Sequence, residues 1–405
     1  MQQTWRWFGP HDPVPLDHIR QAGAEGIVTS LHHIATGQAW TDRDIAQRKV
    51  EIEGENTTKT PLYWSVVESV NVHDDIKVAA PGHQQYITAY CDTLRALGRS
   101  GIKTVCYNFM PLIDWTRTQL NHRLANGASA LYFDADQFSA FDLYILKRDN
   151  AAADYDSDEI IRAAATFKKM SPAAIDQLVT TILAGLPGGT TGEHSLHSFR
   201  ESLKRYQAID DEQLRANLIA FLKQVIPVAT EAGVNLAIHP DDPPRRLLGL
   251  PRVICCAEDL RKLFAAVTAA ANGVTLCAGT FGVRADNNLP AMAREFSERV
   301  FFAHLRGTQR GENPLSFQEA DHLDSDVDML GLIEALMDEE DRRASCGKPM
   351  SIPIRPDHGH RMLDDLDKDS TNPGYTAIGR LKGLAEIRGA MAAFSYHRNK
   401  LPSKH

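Results

Sequence analysis

Eight short runs of mostly apolar and β-branched residues recur along the 405-residue chain, and stretches with helical periodicity separate them. Most of the runs are continuously apolar and do not alternate with polar residues, which is typical of parallel strands covered on both faces. Eight strands that alternate with helices predict a closed (β/α)8 TIM barrel of the α/β class. The eight runs span residues 5–8, 26–31, 63–68, 104–109, 234–239, 274–280, 300–305 and 352–355.

An open, doubly wound sheet is the alternative arrangement of such a chain. A sheet of that kind usually carries a G-x-G-x-x-G fingerprint after its first strand, and the sequence here reads "FGPHDP" over residues 8–13. We therefore predict a single TIM-barrel domain over residues 1–405. The interval 114–209 has no strand candidate, but helical patterns cover residues 135–146, 156–169, 172–184 and 195–207. This interval predicts a helical insertion after the fourth strand, placed over the barrel mouth or against a neighbouring subunit.

The charge pattern excludes several classes of partner. A formal net charge of −8 without a long basic block disfavours binding to nucleic acid or to an anionic membrane surface.

The first residues lack the apolar core of a signal peptide, and no apolar run is long enough to span a bilayer. We therefore expect a cytoplasmic protein. The six cysteines form no C-x-x-C pair, so thiols are expected and not a disulfide framework.

Metal-competent side chains end four consecutive predicted strands. In a barrel of this type the chemistry lies at the carboxyl ends of the strands, where His239, Cys277, His304 and Asp357 are found. Imidazole, thiolate and carboxylate groups together suit one divalent transition metal, and affinity alone does not choose among Fe(II), Mn(II), Co(II) and Zn(II). Each residue also has a simpler interpretation, because Cys277 could be a small core residue and the histidines half-buried polar groups.

Other polar residues at the predicted strand ends are candidates for substrate binding. His32 and His33 follow the second strand, and Asn108 ends the fourth. Arg306 follows His304 by two positions and could bind a substrate carboxylate with two hydrogen bonds. Each of these side chains could equally be a solvated part of the rim.

Long motifs distributed from end to end resemble the D-mannonate dehydratase family. They are "QTWRWFGPHDPV", "WSVVESV", "GIKTVCYNFMP", "DWTRT", "HPDDPPR", "GVRADN", "AHLRGT", "RPDHGH", "NPGY" and "AIGRLKGLAEIRG". The resemblance implies a barrel related to the xylose-isomerase type and one Mn²⁺ or Fe²⁺ ion per active site. It also implies a lyase that removes water from D-mannonate to give 2-dehydro-3-deoxy-D-gluconate in hexuronate (glucuronate) catabolism. A homo-oligomer, dimer or larger, is expected.

The family's site residues can be carried over position by position. Its metal ligands fall on the same four residues that the strand ends select, and its catalytic histidine and tyrosine fall on His358 and Tyr375. The segment after residue 114 resembles the insertion of the extended bacterial form. The loop "GENTTKT", residues 54–60, departs from the pattern by its length, but it precedes a strand and therefore lies away from the catalytic rim.

The chemistry of dehydration suggests how these residues share the work. His358 could accept the C2 proton and Tyr375 could protonate the departing C3 hydroxyl, although a nearby metal could reverse the two roles. Arg306 and Asn108 could orient the sugar acid. Two other functions remain open from sequence: a metal-dependent sugar isomerase or epimerase of the same barrel type, and a non-catalytic sugar-acid or metal-binding protein.

Overall fold

Eight parallel strands close into a barrel in the computed structural model, which describes residues 1–185, 195–347 and 351–400. Around the barrel the strand order is β1-β12-β9-β8-β7-β4-β3-β2, and every neighbouring pair is parallel. The predicted (β/α)8 barrel is confirmed. The strands are β1 Gln2–Arg6, β2 Gly26–Thr29, β3 Tyr63–Glu68, β4 Thr104–Tyr107, β5 Gln119–Arg123, β6 Ser129–Phe133, β7 Asn235–Ile238, β8 Asn272–Cys277, β9 Val300–His304, β10 Gly307–Arg310, β11 Phe317–Ala320 and β12 Pro353–Arg355.

Helices cover the outside of the barrel and fill the insertion. The helices are α1 Leu16–Gln21, α2 Asp42–Glu53, α3 Asp74–Lys77, α4 Gln84–Arg99, α5 Ala135–Ala140, α6 Ser157–Lys169, α7 Pro172–Leu183, α8 Leu196–Lys204, α9 Asp211–Ala232, α10 Ala257–Ala266, α11 Ala278–Gly282, α12 Leu289–Glu295, α13 Met329–Ser345 and α14 Ala377–Lys400. A π-helical turn, Phe141–Leu146, continues α5. Within the described ranges, no helix is both long and apolar enough to cross a membrane.

The sequence predicted most strand positions to within one or two residues, but two strands are displaced by up to three residues. The first strand is Gln2–Arg6 and not residues 5–8, and β8 ends at Cys277 because the small residues that follow begin helix α11. The β8 boundary matters for the site. It leaves the Cys277 side chain at the carboxyl end of its strand, level with His304 on β9.

The expectation that residues 114–209 contain no strand is wrong. Strands β5 and β6 form a hairpin in this interval, and β6 pairs with β11 in a second, four-stranded antiparallel sheet of order β10-β11-β6-β5. The β5 sequence "QLNHR" is polar and lies at the sheet edge, so it has no continuous apolar run to reveal it. The insertion is therefore a hairpin followed by helices, and the hairpin joins the sheet to the segment that follows β9.

Two apolar layers position the site. The main core lies between the barrel and its surrounding helices, and a separate core joins the insertion to β11 and includes Phe133, Phe138 and Phe317. Inside the barrel, Val66 and Phe302 belong to a small buried layer with Val28 and Cys106. Side chains two residues apart on a strand point to the same face, so the residues two positions beyond this layer face the barrel mouth. Those residues include Glu68, Asn108 and His304.

Candidate metal and catalytic site

Three side chains from adjacent strands meet at the barrel mouth. One ligand atom from each of His239, Cys277 and His304 lies within 4.8 Å of the other two. The neighbouring registers explain this, because Cys277 pairs with His304 and the His239 backbone N–H donates to the Tyr107 carbonyl at 2.9 Å. Three of the four predicted metal ligands are therefore brought together by the ends of β7, β8 and β9.

The environment of these three side chains fits a divalent metal ion. Both ring nitrogens of His304 are buried and have no hydrogen-bond partner among the described residues, an arrangement that costs free energy unless a ligand satisfies them. Burial, together with the positive charge of Arg355, holds the pKa of His304 well below its usual value, so the imidazole is neutral and able to coordinate a metal. His239 Nδ1 donates to the Pro240 carbonyl at 2.7 Å, which leaves Nε2 available as the lone-pair nitrogen.

Cys277 contributes a soft donor to the same group. Burial raises the pKa of its thiol to about 12, and its Sγ lies 3.1 Å from the Thr280 hydroxyl. A coordinated divalent cation deprotonates such a thiol outright, so burial does not prevent Cys277 from acting as a ligand. Two imidazoles and a thiolate form a borderline-soft donor set of the type used by Zn(II), Fe(II), Co(II) and Mn(II) sites.

Asp357, the fourth predicted ligand, lies at the edge of this group. Its Oδ2 is 3.9 Å from His304 Nδ1, while its oxygens pair with Arg355 at 2.6 Å and Arg306 at 3.2 Å. Although burial alone would raise the pKa of Asp357, the charge of Arg355 and other neighbours holds it well below the usual value. Asp357 is thus a carboxylate close to the metal-competent group, with its charge balanced by two arginines.

His358 and Tyr375, the predicted catalytic pair, contact each other beside Asp357. Their rings meet edge to face with centroids 4.9 Å apart, and the Tyr375 hydroxyl is 3.5 Å from an Asp357 oxygen. Close backbone packing holds the His358 segment in place, since a Cβ on Gly359 would lie 2.3 Å from the backbone of Gly379 at the start of α14. Burial raises the pKa of Tyr375 to about 12, so its hydroxyl keeps its proton at neutral pH.

Glu319, which the sequence did not indicate, orients His358. Its Oε1 lies 3.0 Å from His358 Nδ1, and both side chains are buried. Burial alone would raise the pKa of Glu319, but Arg306 and His358 lower it to about 2, so the group is a carboxylate and can only accept hydrogen bonds. The proton of a neutral His358 is therefore on Nδ1, and Nε2 is left as the basic nitrogen.

A buried arginine network connects Glu319 to the barrel. Arg117 pairs with Asp242 at 2.9 Å and with Glu319 at 3.0 Å, and Arg306 lies 3.2 Å from both of the same carboxylates. Arg117 and Asp242 lie within the motifs "DWTRT" and "HPDDPPR", so the sequence pointed to the segments but not to these roles. The network fixes the insertion and the β10–β11 hairpin against the barrel rim.

Glu68 is a further site residue that the sequence analysis missed. It ends β3, its Oε1 is 3.4 Å from His304 Nε2, and it accepts a hydrogen bond from Arg355 at 3.0 Å. The same strand-end rule that selected the four ligands could have found it, because "WSVVE" is an apolar run that ends in a carboxylate.

The predicted substrate-binding residues are placed at different positions. Arg306 is buried, and three carboxylates surround it, including Asp357. Asn108 lies on the opposite side of the barrel mouth, where it lines a cavity with Asp114 and others. His32 is exposed on the β2 loop, 3.1 Å from Arg6, and His33 beside it is also exposed. The structure thus brings Arg306 into the site, but not His33.

Comparison with known proteins identifies the family to which these residues belong. The family model described as D-mannonate dehydratase (UxuA) matches residues 1–401. The chain belongs to the D-mannonate dehydratase family. Two relatives named mannonate dehydratase, from Chromohalobacter salexigens and Brucella canis, are 53% and 50% identical over 393 residues; each alignment covers 97% of this chain, and 98% and 97% of the respective relative.

A solved member of the family has a similar fold. The crystal structure of mannonate dehydratase from Streptococcus suis serotype 2 matches with a TM-score of 0.74 and 31% identity. The match covers 100% of this chain and 96% of that chain, so the family likeness includes the insertion as well as the barrel.

Proposed function

We propose that this chain is a hydro-lyase that converts D-mannonate to 2-dehydro-3-deoxy-D-gluconate and water. The observation that carries the proposal is the meeting of His239, Cys277 and His304 near the His358–Tyr375 pair, in a chain that matches the dehydratase family over residues 1–401. Family membership does not favour the alternative, a sugar isomerase or epimerase.

The reaction requires two proton transfers that the side chains can perform. His358 Nε2 accepts the proton from C2, because Glu319 fixes the other ring nitrogen as a donor. The electron pair of the broken C–H bond is first delocalised into the C1 carboxylate, and it then forms the C2–C3 double bond as the C3–oxygen bond breaks. Tyr375 donates its proton to the departing hydroxyl, which leaves as water. The resulting enol becomes the 2-keto acid by losing the proton of its C2 hydroxyl and taking up a proton at C3.

We propose that His239, Cys277, His304 and Asp357 would hold one Mn²⁺ or Fe²⁺ ion. When bound, such a cation stabilises the negative charge that develops on the substrate as the C2 proton leaves. The buried, unpartnered nitrogens of His304 support a ligand at this position. Glu68 lies within 3.4 Å of the same imidazole and would orient it.

Three further expectations come from the sequence and from the family resemblance. A role in glucuronate catabolism, a cytoplasmic location and a homo-oligomeric state stay predictions. Growth of a deletion strain on glucuronate as the carbon source, and the mass of the purified protein in solution, would test the first and the last of these.

Incubation of the purified protein with D-mannonate tests the proposed function. Under anaerobic conditions with Mn²⁺ or Fe²⁺, we expect a 2-keto-3-deoxy acid to accumulate and D-mannonate to disappear in equal amounts. An isomerase or epimerase would consume the substrate without forming a 3-deoxy product. A binding protein would retain the substrate unchanged, and either result would contradict the proposal.

Glu319→Gln should lower kcat by about 10- to 100-fold, with little change in KM or in bound metal. The amide oxygen would turn toward the arginines and its NH₂ group toward His358, which would favour the histidine tautomer that lacks a basic Nε2. Steady-state kinetics with metal analysis measure this effect. Glu312→Gln, on the exposed loop before β11, is the matched control and should keep full activity. Unchanged kcat in Glu319→Gln would contradict the orienting role.

A further inference from the structure

A cavity of about 170 Å³ lies at the barrel mouth, on the side away from His358. Loops that follow β3 and β4 form its wall, together with the start of the insertion. Its polar lining includes Asn71, His73, Asp74, Lys77, Asn108 and Asp114. The functional residues described above, apart from Asn108, do not account for this cavity.

The cavity adjoins the metal-competent group. Asn108 follows β4, and the hydrogen bond from the His239 backbone N–H to the Tyr107 carbonyl places it beside His239. In the closed barrel order, β4 is directly across from β12, the strand that leads to His358. A substrate whose reacting carbons lie between His358 and His239 would therefore extend its remaining carbons toward Asn108.

Two polar groups at the start of the insertion are available to form hydrogen bonds with a ligand. Asp114 Oδ1 and Trp115 Nε1 are buried and have no hydrogen-bond partner among the described residues. Such groups cost free energy unless water or a ligand satisfies them. Trp115 also lies next to the catalytic pair, because its ring meets that of His358 edge to face, with the ring centroids 6.4 Å apart. These unpartnered atoms are an acceptor and a donor, as a polyol requires.

Two charged side chains in the same wall, Lys77 and Asp74, already have partners within the protein. Lys77 donates to the Met110 carbonyl at 2.8 Å and pairs with Asp74 at 3.0 Å. Asp74 also accepts a hydrogen bond from the Tyr206 hydroxyl at 2.9 Å, which ties the end of the insertion to this wall. Both of these contacts go to Asp74 Oδ1, whereas Asp114 Oδ1 is buried and has no hydrogen-bond partner in the described part of the chain.

We propose that this cavity is the subsite for the distal hydroxyl groups of the substrate, with Asp114 accepting hydrogen bonds from the hydroxyls beyond C4. This inference rests on the proposed function, because it assumes that a sugar acid is bound with C2 and C3 beside His358. Asp114 would then determine chain-length specificity and would not take part in proton transfer. Trp115 Nε1 would donate to a hydroxyl nearer the reacting carbons.

Calorimetric binding to a metal-loaded, catalytically impaired protein tests the subsite directly. In a His358→Asn background, D-mannonate and a four-carbon 2,3,4-trihydroxy acid of the same C2 and C3 configuration would be titrated with and without Asp114→Ala. Loss of hydrogen bonds to a carboxylate should weaken D-mannonate binding by about 10- to 100-fold. Binding of the four-carbon acid, read by displacement where it is weak, should change by less than about twofold.

Kinetics of Asp114→Asn in the otherwise unaltered chain give a second measurement. We expect KM for D-mannonate to rise by about 10-fold while kcat stays within about threefold, since the proton-transfer groups are untouched. Equal weakening of both acids, or a fall in kcat at constant KM, would overturn the subsite. If the unaltered protein binds D-mannonate without dehydrating it, the proposed function fails, but the calorimetric comparison still decides the role of Asp114.

Discussion

His304→Ala should remove the bound divalent metal and lower dehydratase turnover by about 1000-fold or more. Loss of Lewis-acid stabilisation is worth several kcal/mol, and each 1.36 kcal/mol corresponds to a factor of ten in rate. His304 is the most informative ligand to remove, because its buried ring nitrogens have no hydrogen-bond partner among the residues that the structure describes. Elemental analysis of the purified variant, alongside its circular dichroism spectrum, measures the effect while checking the fold.

Substitution of the other three predicted metal ligands should also weaken or abolish metal binding. His239→Ala and Asp357→Ala should also lose metal, whereas Cys277→Ser should bind it more weakly and become less sensitive to oxygen, because the oxidisable thiolate is gone. His18→Ala on the exposed face of α1 is a control that should retain both metal and activity. Full metal occupancy in two or more of the four ligand variants would show that the ion is held elsewhere.

The sequence predicted the barrel well because its strands carry a local signal. Strands covered on both faces are apolar throughout, so β3 was located to the residue and most other barrel strands to within two or three residues. Strand β5 was missed because a polar edge strand such as "QLNHR" lacks this signal, whereas β6, "SALYF", does carry a short, mostly buried apolar run. The pairing of β6 with β11, far along the chain, depends on the tertiary fold and cannot be predicted from a local sequence pattern.

The same distinction separates the site residues that the sequence indicated from those it did not. His239, Cys277 and His304 end consecutive barrel strands, so the strand-end rule was sufficient to group them. Glu319 lies on β11 of the antiparallel sheet, and nothing in "SFQEA" indicates that its carboxylate reaches His358. Substrate binding by Arg306 stays a prediction. The structure shows its guanidinium surrounded by the carboxylates of the network, which is a property of packing and not of sequence spacing.

His358→Asn and Tyr375→Phe should each lower kcat for dehydration by about 100- to 10,000-fold, but they should differ in isotope exchange. If His358 removes the C2 proton, Tyr375→Phe should still wash deuterium from D₂O into C2 of unreacted D-mannonate, whereas His358→Asn should not. Tyr375→Phe keeps the ring that packs on Phe8 and His358, so its effect reports the hydroxyl alone. Mass spectrometry of the recovered substrate measures the exchange.

The opposite pattern would reverse the two roles. Exchange that survives in His358→Asn and vanishes in Tyr375→Phe would make the tyrosine oxygen the base, which would require a nearby cation to offset the burial that raises the Tyr375 pKa to about 12. Wild-type dehydration in both variants would exclude the pair as catalysts. Loss of exchange in both would indicate that C2 proton removal and C3–oxygen cleavage occur together, because neither half-reaction then proceeds without the other residue.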